Sequence, residues 1–246
     1  MMQTAYDFKD LLVKPCVKSP VNSRKDVDCT SKRFKGVPII AANMYGVGNF
    51  RAGAAFAKHK IYTCIQKQYT VTDWENALDE DTLGPKFDLT LDAPFLIPCT
   101  GASTEELEKV IEILSIFPDT VEYVCLDVAN GHASDNINAV IKLREMMNEN
   151  FLEDVKIIYG NVANPDVLDI PEFRDAIDYI KIGIGSGSVC TTRLKTSVGV
   201  PQATLLDSFV TKTHTLDADI GIISDGGCRN PGHVAMAFIM GADAVM

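Results

Sequence analysis

Apolar residues along this chain fall in short runs, separated by stretches in which apolar positions recur at helical spacing. Eight runs read as strands. They are VPIIAANM from Val37, IYTCIQ from Ile61, PFLIPC from Pro94, YVCLDVA from Tyr123, VKIIYGNV from Val155, YIKIGIG from Tyr179, IGIISDGG from Ile220 and DAVM from Asp243. Most lack strict alternation, as parallel strands do when helices cover one side and a packed interior the other. Between them, STEELEKVIEILSIF from Ser103 has a Ser N-cap and a Glu three residues on. ASDNINAVIKLREMMNE starts at Ala133, with Ser134 or Asp135 as the expected cap; PQATLLDSFVTKTHTL starts at Pro201 and NPGHVAMAF at Asn230. NFRAGAAFAKH from Asn49, TVTDWENALDE from Thr70 and NPDVLDIPEFRDAI from Asn164 complete the helical segments. This alternation predicts an α/β fold, a (β/α)8 TIM barrel; a doubly wound open sheet is the alternative. No linker or low-complexity stretch interrupts it, so residues 1–246 read as one domain.

Composition narrows the function classes. The 33 acidic and 23 basic residues give a net charge of −10, which argues against a general nucleic-acid binder but leaves room for a locally basic phosphate pocket. No apolar run approaches a membrane span, and MMQTAYDFKDLLVK carries Asp7 and Asp10 in place of a secretory h-region. The seven cysteines form no CxxC pair and no zinc spacing, so a reduced, cytoplasmic protein is expected. Cys64, Cys99 and Cys125 sit in apolar runs and read as buried small hydrophobes.

In such a barrel, reactive groups follow the C-terminal ends of strands. The most informative segment there is KIGIGSGSVCTTR, from Lys181 to Arg193. Gly183, Gly185 and Gly187 permit tight turns; backbone N–H groups and Ser188 could cradle an anion, or inward carbonyls a monovalent cation. Cys190, beside Thr191, Thr192 and Arg193, is placed to be a nucleophile, although a buried, inert thiol fits the same pattern. In ISDGGCRNPG, Asp225 could hold ribose hydroxyls and the Gly226 and Gly227 N–H groups a phosphate; an ordinary Asp-Gly turn is the alternative. In LDVANGH, Asp127 could accept bonds from a base, amide or ribose, or orient its own loop. His132 reads as an exposed loop residue before it reads as an acid or base; His59, His214 and His233 receive no chemical role.

DFKDLLVKP, VPIIAANM, LDVANG, KIGIGSGSVCTTR and ISDGGC follow one another in an order and spacing that resemble the inosine-monophosphate dehydrogenase/GMP reductase family, from about Asp7 to the last residue. LDVANG, ISDGGC and the short segment between the second and third strands resemble its reductase branch. The resemblance implies NADPH-dependent conversion of GMP to IMP and ammonia. The Cys190 thiolate would attack purine C2, ammonia would leave a covalent thioimidate, and hydride would then arrive at C2. Thr192 matches the residue that assists protonation. Ser188, Gly226 and Gly227 match phosphate contacts, and Asp225 the ribose contact. Asp127, Val128, Ala129, Ile184 and Gly185 match the nicotinamide region, and Lys67 and Arg24 further cofactor contacts. Gly185, Gly187, Cys190 and Arg193 match a K+ site. A homo-oligomer, usually a tetramer, is implied. The rival readings are IMP oxidation with NAD, and a non-catalytic nucleotide-binding or partner protein.

The sequence also departs from that pattern. Ser186 stands where the family usually has proline, and Gln66 and Gln68 stand where reductases have histidines flanking the lysine. The third-strand tail is PCTGA rather than serine-rich. Family chains continue beyond GADAVM with a phosphate loop, a flap whose glutamate pairs with the residue at Thr192, and closing helices. The resemblance therefore implies a barrel lacking the final helix and flap, and C-terminally incomplete.

Overall fold

The computed structural model describes residues 4–28, 31, 33–77, 95–118 and 120–246. Pro94, Cys29 and the Leu78–Asp79–Glu80 end of one expected helix lie outside them. Eight strands close into a barrel in sequence order, and every neighbouring pair is parallel. Closure decides against the open-sheet alternative. The strands are β1 Val37–Ala41, β2 Ile61–Ile65, β3 Leu96–Thr100, β4 Tyr123–Asp127, β5 Lys156–Val162, β6 Tyr179–Ile182, β7 Gly221–Ser224 and β8 Ala244–Val245.

The helices are α1 Phe50–Ala57, α2 Val71–Ala77, α3 Thr104–Ile116, α4 Ser134–Glu149, α5 Pro171–Ala176, α6 Thr192–Thr196, α7 Gln202–Leu216 and α8 Pro231–Ile239. The α3 start follows expectation: Ser103 caps it and Glu106 completes the capping box. Two expectations are corrected. Ala133, not Ser134 or Asp135, occupies the α4 N-cap, without a side-chain bond. The segment from Asn164 is not one helix but a 3-10 turn, Pro165–Asp169, followed by α5, because Pro171 cannot donate the N–H that continuation would need. Helix α6 has no counterpart in the sequence reading: its TRLKT sequence is too short to show periodicity.

Two apolar layers result. One lies between barrel wall and helices, with Leu107, Leu114, Leu143, Phe173 and Phe209 among its members. The other fills the barrel itself. At the N-terminal ends of the strands, Phe34 packs against Tyr62, Tyr123 and Tyr179 with ring centroids 5.1–5.5 Å away. The Tyr123 and Tyr179 hydroxyls both donate to the Arg33 carbonyl at 3.2 Å. This plug closes the lower mouth and leaves the upper rim for chemistry. Cys64, Cys99 and Cys125 are buried in this interior layer, as expected. Among the described residues, no helix is long and apolar enough to cross a membrane.

Candidate active site

The upper rim is organised around one buried cation. Lys181, on β6, is 1% exposed and lies between two carboxylates. Its Nζ donates to Asp127 Oδ1 at 2.6 Å, to Asp225 Oδ2 at 3.2 Å and to the Asn161 side-chain oxygen. Asn161 Nδ2 donates in turn to Asp225 Oδ2 at 2.7 Å, and Asn43 Nδ2 to Asp127 Oδ2 at 2.9 Å. Burial alone would depress the Lys181 ammonium; Asp225 and Asp127 overcome that and hold it charged, well above the usual lysine value. Burial likewise pushes the Asp127 carboxyl up, but Lys181 and Asn43 outweigh it, and the net direction is down. Sequence reasoning singled out both carboxylates, and Asn43 and Asn161 as polar tails of their strands; it missed the lysine.

The loop after β6 carries the thiol. Gly183 and Gly185 adopt φ of +139° and +69°, and a Cβ on Gly183 would lie 2.3 Å from the Asp225 carbonyl. Ser186 Oγ donates to that same carbonyl at 2.6 Å, so the residue standing at the usual proline position ties the β6 loop to the β7 loop. Cys190 is exposed, contrary to the buried-thiol alternative, and its Sγ lies 3.2 Å from Thr192 Oγ1. Hydrogen bonds from the Thr192 side chain and backbone hold the thiol below its ordinary value, with Arg193 adding to the effect. Arg193 itself braces the loop: Nε donates to the Ile184 carbonyl at 3.2 Å, another guanidinium nitrogen to Val200, and a third faces Asp7 at 3.7 Å.

Two cavities open here. The first, about 300 Å³, is lined by Gly185, Gly187, Ser188, Cys190, Arg193 and Gly227, together with Lys9, Arg229 and His233. Lys9 and Arg229 add basic character that the sequence reading did not assign, and the His233 Nδ1 accepts from the Arg229 N–H at 3.3 Å. The second, about 390 Å³, brings together Asp127, Val128, Ala129, Ile184, Gly185, Thr192 and Asp225, with Lys181 and Asn161 in its wall. Most candidate residues therefore converge on one face.

Some do not. Arg24 lies on an exposed 3-10 turn, Arg24–Asp26, and lines neither cavity. Lys67 also lines neither; its Nζ pairs with Glu106 of the α3 capping box at 2.8 Å. The Gly226 and Gly227 N–H groups donate to the Met246 and Ser186 carbonyls at 3.1 and 3.0 Å, so a phosphate there would have to replace those bonds. The Gly187 and Arg193 carbonyls accept from the Cys190 and Ser197 N–H groups, each keeping a second lone pair. His132 is corrected: it is half-buried, and its Nε2 accepts from the Ala163 and Asn164 N–H groups at 2.9 and 3.2 Å. Burial depresses its pKa, which suits a neutral acceptor locking the β4 and β5 loops.

A parallel eight-stranded barrel with an exposed, activated thiol after β6 and a carboxylate turn after β7 defines the class: a barrel with the parts for covalent chemistry at its rim. The model of the IMP dehydrogenase / GMP reductase domain matches residues 5–246, and the chain belongs to that family. It is 40% identical to a GMP reductase of Phytophthora infestans over 248 residues, covering 98% of this chain and 64% of that relative. It is 38% identical over 250 residues to a GMP reductase of Salmonella choleraesuis (strain SC-B67), covering 97% of this chain and 66% of that one. The chain thus spans about two thirds of the length of the curated relatives it matches. Among solved structures, inosine 5′-monophosphate dehydrogenase from Legionella pneumophila superposes with a TM-score of 0.78 at 26% identity, covering 99% of this chain and 68% of that one.

Proposed function

We propose that this chain is the barrel of a GMP reductase, which converts GMP to IMP and ammonia with NADPH. The observation that carries the reading is the Cys190–Thr192 pair, 3.2 Å apart beside Asp225 and the Asp127 loop. Cys190 as thiolate attacks C2 of the purine. The exocyclic amine leaves as ammonia, taking a proton with help from Thr192, and a covalent thioimidate remains on Sγ. NADPH, held by the wall of Asp127, Val128, Ala129, Ile184 and Gly185, would supply hydride to C2, so that IMP leaves and Cys190 is restored as thiolate. Asp225, held by Asn161 and Lys181, accepts from the ribose hydroxyls. Ser188 meets the phosphate in a cavity whose basic residues are Lys9, Arg193 and Arg229.

The wall formed by Asp127, Val128, Ala129, Ile184 and Gly185 fits the nicotinamide. Lys67 would act from beside Asp127, whereas the exposed position of Arg24 leaves its cofactor contact resting on the resemblance alone. By the same resemblance, backbone carbonyls of Gly185, Gly187, Cys190 and Arg193 would hold K+, an all-oxygen donor set whose role would be to keep the thiol loop in shape. A homotetramer in the cytoplasm is the setting this reading expects.

The rival, oxidation of IMP with NAD, takes its support from the Legionella dehydrogenase fold. One assay separates the two: absorbance at the reduced-nicotinamide band falls with GMP and NADPH if the reductase reading holds. A rise with IMP and NAD, without that fall, would overturn it. Cys190→Ala is expected to abolish turnover and the covalent GMP adduct seen by mass spectrometry while GMP binding survives.

A further inference from the structure

Three cysteines unused by that reaction meet inside the barrel. Cys64 on β2, Cys99 on β3 and Cys125 on β4 are 0%, 3% and 0% exposed, and their Sγ atoms all lie within 4.8 Å of one another. Register explains the meeting: Cys99 pairs directly with Cys125, and all three side chains belong to the interior layer. Tyr62 and Tyr123, two residues earlier on β2 and β4, lie below them. Asp127, two residues beyond Cys125, and its partner Lys181 lie above.

We propose that this cluster is a binding site for a soft, thiophilic ion that takes three sulfur ligands, with the cuprous ion as the member of that class it fits. The donor set is sulfur alone, which selects soft ions over calcium, magnesium or manganese. Coordination number then separates the soft ions. Structural zinc and iron–sulfur sites use four protein ligands. Among the described residues the cluster offers three; Asp127 and Lys181 above are committed to each other. Three sulfurs in a plane around an ion, with bonds of about 2.3 Å, stand about 4 Å apart. The observed spacing reaches that with side-chain shifts of about one ångström.

Each sulfur binds as thiolate, so a cuprous ion enters as three thiol protons leave for solvent, and no oxidant or reductant is needed. The occupied site carries net negative charge, and the Lys181 ammonium lies one layer above it. The route in is from the rim, where the 390 Å³ cavity ends on Asp127 and Lys181, one layer above the sulfurs. This inference does not depend on the proposed reaction.

The test uses the full chain with Cys16→Ser, Cys29→Ser, Cys190→Ser and Cys228→Ser, leaving only the three interior thiols. Anaerobic titration with Cu(I) against a coloured cuprous chelator is expected to show one ion per chain withheld from the chelator. Adding Cys99→Ala is expected to abolish that retention, with circular dichroism confirming the fold. Copper that stays with the chelator, or retention that survives Cys99→Ala, overturns the proposal. Should Cys99→Ala not fold, X-ray absorption on the four-serine protein decides. Three sulfurs at about 2.3 Å support the site; two ligands, or a nitrogen or oxygen shell, refute it.

Discussion

Cys190 gains its character from two bonds to a single residue. Because Thr192 holds the thiol below its ordinary value, the acid limb of kcat/KM for the proposed reaction is expected below that of a free thiol. Thr192→Val removes the hydroxyl, so a pH–rate profile is expected to show a slower enzyme whose acid limb has moved upward. An unmoved limb would mean that the backbone bond and Arg193 suffice. Lys181 poses the opposite problem, a buried charge facing two acids. Lys181→Met leaves Asp127 and Asp225 uncompensated, and a loss of about 3 kcal/mol is expected in denaturant unfolding. With Lys181 present, the folded Asp127 carboxyl titrates below its unfolded value of about 3.9. Its stabilisation is therefore complete above that pH and is lost as pH falls through the folded value. The variant is expected to lose this dependence. Neither role of Lys181 was legible in the sequence, where it reads as one more residue of a strand; only its inward parity and neighbours reveal it.

At the scale of elements, the strands were readable because buried parallel strands are unusually apolar, and all eight fell where the runs placed them. Helix boundaries were less so. Ala133 takes a cap position that its side chain cannot serve, and α6 is a single turn created by the loop it ends. The thiol loop depends on glycine at Gly183, where φ is +139° and the Asp225 carbonyl leaves no room for a methyl group. Gly183→Ala is expected to cost about 1–3 kcal/mol and to raise KM for the nucleotide more than it lowers stability, since it separates the β6 and β7 loops. Kinetics beside thermal unfolding would check that ordering. The candidate thiol, threonine and carboxylates were visible as motifs. Lys9, Arg229 and His233 were not: they sit within DFKDLLVKP, ISDGGCRNPG and NPGHVAMAF, and only the folded chain shows that their side chains reach the cavity.

For the molecule as a whole, the two ends of the barrel divide the work. An aromatic plug fills one mouth, and the reactive groups line the other. Phe34→Ala is expected to lower stability by about 3–5 kcal/mol while leaving substrate KM nearly unchanged below the melting range. A comparable shift in KM would show that the two mouths are coupled through the interior. Along the axis, that interior is graded: aromatic rings, then sulfur, then a lysine between carboxylates, then solvent. Such a stack behaves as an insulator with one conducting face. The low-polarity floor cannot screen Lys181, so its field is spent almost entirely on Asp127, Asp225 and whatever docks beside them. Two carboxylates can thus stand together at the mouth of an acidic protein, with part of their charge cancelled from beneath.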